Sequence, residues 1–498
     1  MTTTFERGPS AQEKPANRRG SHALRWWVLA VLGVAQLMVV LDATVVNIAL
    51  PEAQRDLGFD DASRQWVITG YALAFGSLLL LGGRLSDLFG RRNTFIVGLI
   101  GFSVASAIGG AAANFEMLVA ARVGQGVFGA LLAPAALSLL TVTFTEPSER
   151  AKAFGIFGAV AGTGGAIGLL LGGALTEWAS WRWVMFVNLI FAAVALVGAV
   201  LLLARHAGGT RPKLDIPGTA VVTAALFAIV YGFSHAESEG WTDSVTLAFL
   251  VGGAALLALF VWLETRVAHP LLPLRIVLDR TRGGAYLAVF VMGIGMFAIF
   301  LFLTYYMQLT LGYSPIMTGV AFLPMVAGMV VSSTTTPSLL LPKVGPKVAV
   351  SGGFAIAALG MAWLTQIGLD TGYTTHILPS LILLGLGLGA AMSTAFQSAT
   401  AGVRHDDAGV ASAMINTSQQ VGGSIGTALL STIAASAAGD YLAGRTPSQI
   451  TVAQSAIESY TTSFAWAAGV FVIGAVVLAA LLPNTIPAPA EGEPVLAH

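Results

Sequence analysis

Residues 26–50 read WWVLAVLGVAQLMVVLDATVVNIAL, an apolar run with a single charged residue, Asp42. A helix needs about 20 apolar residues to cross a bilayer, so this run is long enough to span one. It exceeds the apolar region of a signal peptide, and no small-x-small cleavage site follows closely. We therefore predict an uncleaved first span. Because a charge inside a span is costly, Asp42 is a candidate functional residue.

Composition indicates an integral membrane protein. Of 498 residues, 55% are hydrophobic and 10% are charged, against roughly 25% charged in soluble proteins. The 58 glycines fit closely packed membrane helices. A formal net charge of zero provides no field for nucleic acid binding. Cysteine is absent, which excludes disulfides, thiolate catalysis and cysteine-ligated metals.

Similar runs recur along the chain and predict an all-α membrane protein with fourteen spans. They are longer and more uniformly apolar than the strands of a β-barrel. The predicted spans are at about residues 26–50, 64–83, 93–113, 117–143, 152–175, 183–204, 215–235, 245–263, 284–308, 315–337, 347–367, 376–400, 409–436 and 462–482.

Basic residues predict the orientation of these spans. If the N-terminus is cytoplasmic, twenty of the 25 Lys and Arg residues fall in cytoplasmic segments and four in external ones. This bias satisfies the positive-inside rule and favours an even number of spans. We expect both termini in the cytoplasm, a plasma-membrane location, and disordered tails at residues 1–24 and 484–498.

A weak internal repeat predicts duplicated halves. The loop after the second predicted span, residues 83–92, reads GRLSDLFGRR, and the loop after the tenth, residues 338–347, reads SLLLPKVGPK. Gly90 aligns with Gly345, and Arg92 aligns with Lys347. We predict two six-span bundles, residues 25–204 and 284–483, with two additional spans in the segment 205–283. Duplicated halves around a central site are typical of transporters.

Asp42 and Arg122 are the two charges predicted to lie deep within spans. Asp42 precedes the outer end of the first span by eight residues, and Arg122 follows the outer start of the fourth by five. At 1.5 Å per residue, their depths are roughly 12 Å and 8 Å, so they can share a layer. A carboxylate there can bind a proton when unpaired and release it when the arginine approaches. The alternative is a static ion pair.

Residues 83–92, which we call the gating segment, combine acidic and basic side chains between two spans. Contacts of such residues can form in one conformation and break in another, which would make the segment a latch, although an ordinary basic loop explains it equally well. The candidate residues are Gly83, Asp87, Gly90, Arg91 and Arg92.

The fifth predicted span carries closely spaced glycines, including Gly164, Gly168, Gly172 and Gly173. A face without side chains allows close helix contact, either as a sliding hinge between the halves or as plain packing.

Aromatic and amide residues scattered through the spans are candidates for lining a substrate cavity. A mostly apolar cavity with a few polar groups suits a bulky amphipathic ligand. The candidates are Gln36, Asn47, Tyr71, Phe75, Gln125, Phe297, Tyr305, Gln308, Phe396, Asn416 and Gln420.

The sequence gives no indication of an enzyme. It contains no Walker-type motif for ATP and no metal or nucleophile constellation, so we expect no cofactor, with the proton as coupling ion.

Four segments in order resemble one known family, the fourteen-span drug:proton antiporters of the major facilitator superfamily. They are Leu41–Pro51 in the first span, Gly83–Arg92, Leu118–Gly126 around Arg122, and the Trp181-Arg182-Trp183 segment followed by Asn188. The resemblance extends from about residue 25 to 483. It implies two six-helix bundles with two extra central helices, and it ties Arg122 to proton transfer.

One position departs from the family pattern. The antiporter motif of the fifth span usually has Gly-Pro before its last glycine pair, whereas this chain has Gly168-Leu169. Without proline, the expected helix kink is weaker, and the carry-over of antiport from that motif is correspondingly less direct.

Together these observations predict a proton-driven exporter of lipophilic, amphipathic drugs or antibiotics that functions as a monomer in the bilayer. The direction of export comes from the family resemblance alone. Alternatives are an exporter dedicated to one natural product, a proton-coupled importer, and, in a different class, a receptor or scaffold that transports nothing.

Overall fold

A computed structural model describes residues 18–60, 63–144, 146–203, 215–267, 270–401, 403, 408–446 and 448–484. Within these ranges the chain is almost entirely helical and contains no β-strand. Helices satisfy their own backbone hydrogen bonds, which a chain in lipid requires. The all-α prediction is therefore confirmed. The prediction of a disordered N-terminal tail over residues 1–24 is wrong for residues 18–24, because the helix of the first apolar run extends back to Arg18. Residues 1–17, and 485–498 of the predicted tail 484–498, lie outside the described residues.

Six long helices form the first bundle, which we call the N bundle. They are α1 (Arg18–Leu57), α2 (Gln65–Phe89), α3 (Arg91–Gly110), α4 (Phe115–Thr143), α5 (Pro147–Trp178) and α6 (Trp183–Leu202). Two further long helices, α7 (Ile216–Glu239) and α8 (Ser244–Glu264), form an inserted hairpin, followed by the short helix α9 (Leu274–Val277).

The second bundle, the C bundle, again has six long helical segments. Its helices are α10 (Arg280–Tyr305), α11 (Pro315–Ala321), α12 (Leu323–Thr335), α13 (Leu341–Leu364), α14 (Leu378–Thr400), α15 (Ala408–Leu442) and α16 (Gln449–Leu481). The helices α11 and α12 form one segment. Single π-helical turns at Tyr306–Thr310, Thr336–Leu340 and Tyr373–Ile377 extend α10 and α12 and precede α14.

Twelve of these segments are long and apolar enough to cross a membrane, and the described parts of α2 and α5 contribute shorter apolar helices. The predicted number of fourteen crossings therefore remains a prediction.

Side-chain caps fix several helix starts, because they satisfy N–H groups that have no partner within the helix. Asn114 accepts from Met117 N at 2.9 Å, and Ser448 forms a reciprocal capping box with Thr451.

The two bundles repeat the same packing. In the N bundle α1 contacts α5 and α6, α2 contacts α4, and α3 contacts α4 and α6. In the C bundle α10 contacts α15 and α16, the α11–α12 segment contacts α14, and α13 contacts α14 and α16. These are the same pairs at equivalent positions, as the predicted repeat implies. The bounds 25–204, 205–283 and 284–483 remain predictions.

Backbone geometry supports the same repeat at Gly90 and Gly345. Gly90 has φ 87° and ψ 133°, and Gly345 has φ 75° and ψ 169°. Both φ values are positive, a region that residues with a Cβ rarely adopt. The gating segment differs from the predicted loop, since α2 continues to Phe89 and α3 begins at Arg91, so Gly90 alone separates them. One glycine suffices because it can reverse the chain in a single step.

Candidate functional site

Five helices of the N bundle meet at a polar cluster in its interior. Asp42 lies on α1, Ser106 on α3, Arg122 and Gln125 on α4, and Asn188 on α6. All are at most 2% exposed. Arg122 and Gln125 are three residues apart and therefore share one face of α4. The fifth helix, α2, contributes backbone and ring contacts to the same cluster.

The carboxylate of Asp42 accepts three hydrogen bonds from side chains. Arg122 Nη1 donates to Oδ2 at 2.5 Å, while Gln125 Nε2 and Asn188 Nδ2 donate to Oδ1 at 2.7 and 2.8 Å. Gln125 and Asn188 also donate to Ser106 Oγ, at 2.8 and 3.4 Å. A buried charge persists only when it is paired and hydrogen-bonded, as this carboxylate is.

The guanidinium of Arg122 is equally well surrounded. Its Nε donates to the Val67 carbonyl oxygen at 3.0 Å, and its Nη1 also donates to Gln125 Oε1 at 2.7 Å. The guanidinium carbon lies 4.5 Å from the ring centroid of Tyr71, a cation–π distance. The arrangement is suited to ionised Asp42, and moving α1 away from α4 would leave both charges without their main partner.

The expected contact between Asp42 and Arg122 is thus present, and Gln125 and Tyr71 join it. Asn188 and Ser106 were not assigned to the site from the sequence. Asn188 is the one amide in the apolar helix α6, which was an available signal. Ser106 gave none, because α3 also contains Ser103 and hydroxyl groups are common in membrane helices.

A second group of contacts joins the two bundles at the end where α1 and α5 finish, which we call the distal end. Tyr305 donates its hydroxyl to Gln54 Oε1 at 3.0 Å, and Gln308 Nε2 donates to the Ile48 carbonyl at 3.2 Å. At the same end, the backbone N–H of Ile316 donates to Glu177 Oε2 at 3.1 Å. Tyr305 and Gln308 therefore contact the N bundle at the distal end, and their predicted role in lining a cavity remains a prediction.

The glycines of α5 divide between two partners. Gly164, Gly168 and Gly172 face α1, where added Cβ atoms would press against Val40, Thr44 and Val45. A Cβ on Gly173 would instead lie 2.6 Å from Ile316 Cα in the C bundle. Of these four glycines, only Gly173 faces the other bundle. This supports the hinge interpretation at one position and plain packing at the other three.

The remaining cavity candidates occupy separate places. Phe75 packs 5.5 Å from Tyr71, Asn47 donates to its own helix at Ala43, and Phe297 packs against Phe302. Gln420 packs beside Gly76 of the N bundle. The other candidates are partly buried within their helices: Gln36, Phe396 and Asn416.

A cavity of about 1020 Å³ lies between α2, α4 and the inserted hairpin, and none of these candidates lines it. Their role in a central substrate cavity remains a prediction.

The gating segment contacts two other parts of the chain. Arg84 Nη2 donates to the Pro270 carbonyl at 3.3 Å, and Arg92 Nη2 donates to the Val200 carbonyl at 3.2 Å. The side chain of Asp87 lies outside the described part of the structure, so its predicted latch contact is untested. Arg91 begins α3 beside Gly90.

Comparison with known proteins places this fold and site in a family. The model of the Major Facilitator Superfamily matches residues 32–427. The chain belongs to the major facilitator superfamily. It is therefore a membrane transporter and not an enzyme, as predicted.

Similar proteins are named for antibiotic resistance and export. The chain is 50% identical to the puromycin resistance protein of Streptomyces alboniger over 94% of this chain and 93% of that one. It is 39% identical to the cephamycin export protein of Amycolatopsis lactamdurans, covering 82% and 85%. It is 34% identical to the tetracenomycin C resistance and export protein of Streptomyces glaucescens, covering 88% and 81%.

Solved structures confirm the fold. A proton-dependent oligopeptide transporter superposes with a TM-score of 0.63 at 16% identity, covering 92% of this chain and 99% of that one. A bacterial homologue of the lysosomal transporter Spinster, solved in an inward-facing conformation, gives 0.56 at 18% identity, covering 92% and 96%.

Proposed function

We propose that this transporter exports amphipathic antibiotics from the cell in exchange for protons that enter. The observation that carries the proton half of this proposal is the fully buried Asp42, held by Arg122, Gln125 and Asn188. The export half rests on the relatives named for antibiotic export and resistance.

Helix α1 provides a mechanical link between substrate passage and the proton. It carries Asp42 and also the distal contacts of Ile48 and Gln54 with the C bundle. Ile48 is six residues from Asp42, about 9 Å along the helix. Separation of the bundles at the distal end therefore acts on α1, and a shift of α1 relative to α4 lengthens the bond between Asp42 and Arg122.

That shift provides a cycle for the proton. When Arg122 is near, Asp42 is stable as a carboxylate. When the arginine moves away, the buried carboxylate loses its compensating charge, and protonation becomes the lower-energy way to keep it buried. Return of α1 to α4 expels the proton. Exchange requires that substrate and proton occupy the transporter alternately, which couples one gradient to the other.

We infer a plasma-membrane location with both termini cytoplasmic, so that the distal end faces outward. Since the chain has no cysteine, single cysteines can report orientation without background. Two exposed residues suit this test: Thr446 at the distal end and Thr265 at the end opposite to it. In intact cells, an impermeant maleimide should label Thr446→Cys and spare Thr265→Cys. Labelling in the reverse pattern would overturn the orientation.

The coupling test uses proteoliposomes across whose membrane a pH gradient is imposed. Puromycin is the probe, because the chain is 50% identical to a puromycin resistance protein. The wild-type protein should accumulate puromycin in response to the gradient, whereas Asp42→Asn, which cannot ionise, should not. Glu52→Gln is the matched control, since Glu52 is a carboxylate on the same helix whose side chain is 41% exposed and pairs with Arg55. It should transport normally.

Gradient-driven accumulation by Asp42→Asn at the wild-type rate would show that Asp42 is structural and would refute the coupling proposal. If the wild-type protein failed with puromycin, a susceptibility panel in a host lacking its own efflux pumps would identify the substrate. Resistance to one compound alone would indicate a dedicated exporter, and resistance to several would indicate a multidrug pump.

We also propose that the monomer is the functional unit.

A further inference from the structure

A pair of buried carboxyl groups lies in the inserted hairpin, away from the Asp42 cluster. Asp215 caps the start of α7, and Glu264 is the last residue of α8. The two residues are 3% and 5% exposed. Both lie at the end opposite the distal end, because α7 begins and α8 finishes there. Buried acidic side chains at these positions need a compensating partner.

Each carboxyl group uses part of its hydrogen-bonding capacity on the backbone. Asp215 Oδ1 accepts from Gly218 N at 2.9 Å, as a helix cap does. Glu264 Oε1 and Oε2 accept from the backbone N–H groups of Leu271 and Leu272, at 3.3 and 2.9 Å. Asp215 Oδ2 is buried and has no hydrogen-bond partner among the described residues.

The unpartnered oxygen of Asp215 faces Glu264. The position that a Cβ atom would occupy on Gly218 serves as a reference point between the two side chains. This position is 3.0 Å from Glu264 Oε1 and even closer to Asp215 Oδ2. Both oxygens therefore border the same point, and they are at most about 5 Å apart, a separation at which two buried carboxylates repel strongly. A proton placed between them gives Asp215 Oδ2 the partner it lacks and removes that repulsion.

Two described arginines near this pair, Arg84 and Arg266, have partners outside it. Arg84 of α2 donates to the Pro270 carbonyl, and the guanidinium of Arg266 lies over the ring of Trp262. Helix α15, which also packs on α7, has a single charged residue, Asp440, near its other end. The short helix α9 carries Arg275 three residues after Leu272. The sequence also places Lys213 and His269, both outside the described residues, close to the pair in the chain. All three basic residues enter the test directly.

We propose that Asp215 and Glu264 share one proton, which makes this pair a proton-binding site separate from Asp42. Loss of the proton leaves two carboxylates facing each other and drives the end of α8 away from the start of α7. The segment 270–272 links this event to the gating segment, because it binds Glu264 through its N–H groups and Arg84 through the Pro270 carbonyl. The pair thereby makes the gating segment sensitive to the pH on the side of the membrane where the pair and the gating segment lie.

The decisive variant is Asp215→Asn. Its Oδ1 can still accept from Gly218 N, so the helix cap is retained, and its Nδ2 can donate to Glu264 where the wild type needs a proton. Glu264→Gln is a second variant, although it replaces one of the two side-chain oxygens that accept from the backbone N–H groups of Leu271 and Leu272. Asp243→Asn is the matched control, because Asp243 caps the start of α8 in the same hairpin by accepting from Val245 N and Thr246 N. Asp243 belongs to the other end of the hairpin, away from Glu264.

The first measurement is unfolding of purified full-length protein in mixed micelles between about pH 5 and pH 9, a range in which an ordinary carboxyl group is already ionised. If the folded protein holds one proton that the unfolded chain releases, the unfolding equilibrium constant rises by up to tenfold per pH unit until the folded state also loses it. Asp215→Asn should abolish this increase. Asp243→Asn should retain it when both are compared in a His235→Gln background, which is needed because His235 Nδ1 lies 3.6 Å from Asp243 Oδ2 and titrates in the same pH range.

The second measurement is the infrared carbonyl band of a protonated carboxyl group at neutral pH. The wild type should show a band that both Asp215→Asn and Glu264→Gln remove and that Asp42→Asn leaves in place. Absence of such a band, or an unchanged pH slope in Asp215→Asn, would overturn the proposal. So would loss of the slope in Lys213→Met, Arg275→Met or His269→Gln, because a basic group would then be neutralising the pair. None of these readouts depends on transport, so they are independent of the role of Asp42.

Discussion

Asp42→Asn offers a quantitative test of how the buried pair contributes to stability. The carboxylate accepts bonds from Arg122, Gln125 and Asn188 at 2.5–2.8 Å. Hydrogen bonds to a charged group contribute roughly 1.5–3 kcal/mol each, and breaking one side of a buried ion pair costs roughly 3–5 kcal/mol. Because Arg122 keeps the Val67 carbonyl and Gln125 Oε1 as acceptors, we expect the lower value, about 3 kcal/mol.

The same reasoning applies to Arg122→Met, which leaves Asp42 with only its amide donors and should also cost about 3 kcal/mol. The double variant has no unpaired buried charge. It should lose about 3 kcal/mol or less, well short of the sum of the two single variants.

The assay is reversible unfolding in mixed micelles of detergent and SDS, followed by circular dichroism for wild type, both single variants and the double variant. Gly469→Ala combined with Asp42→Asn provides the additive reference, since a Cβ at Gly469 has no atom within 4 Å. If the double variant lost the full sum of the single costs, to within about 0.5 kcal/mol, Asp42 and Arg122 would not stabilise each other and the reasoning would fail.

Three further outcomes are expected. Gly173→Val should slow transport yet leave binding of puromycin within a few-fold, because a Cβ at residue 173 would lie 2.6 Å from Ile316 Cα in the C bundle. Gly469→Ala is the control and should be neutral. Unimpaired transport by Gly173→Val would exclude a tight distal closure. Asn188→Leu should reduce stability by about 1.5–3 kcal/mol, because it removes a hydrogen bond to the Asp42 carboxylate, and an unchanged unfolding midpoint would contradict this. Asp87→Asn should cripple transport while puromycin binding stays within a few-fold, and a large loss of binding would instead place Asp87 near the substrate.

The class of protein and the identity of the central pair are recognisable from the amino-acid sequence alone. Long apolar runs specify membrane helices because no other open structure satisfies backbone hydrogen bonds in lipid. Within such runs a charge is conspicuous, so Asp42 and Arg122 could be recognised without a structure, and counting residues from the span ends placed them in the same layer. Gly90 and Gly345 were matched by spacing, and both adopt positive φ.

Packing between distant helices was not accessible from the sequence. Asn188 and Ser106 join Asp42 only because α6 and α3 pack beside α1 and α4, and a single polar residue in a helix does not reveal which neighbour it meets. Tyr305 and Gln308 illustrate the same limit, since an aromatic or amide group suits both a cavity wall and a contact between bundles.

The carboxyl pair of the hairpin exists only because of tertiary packing. In the sequence, Asp215 and Glu264 are unremarkable acidic residues at the ends of two predicted spans, where such residues are usually solvated. Folding of α7 against α8 buries both and turns one oxygen of each toward the same point above Gly218. Helix periodicity and hydropathy act along one helix at a time, whereas the proximity of two charges depends on how two helices pack together.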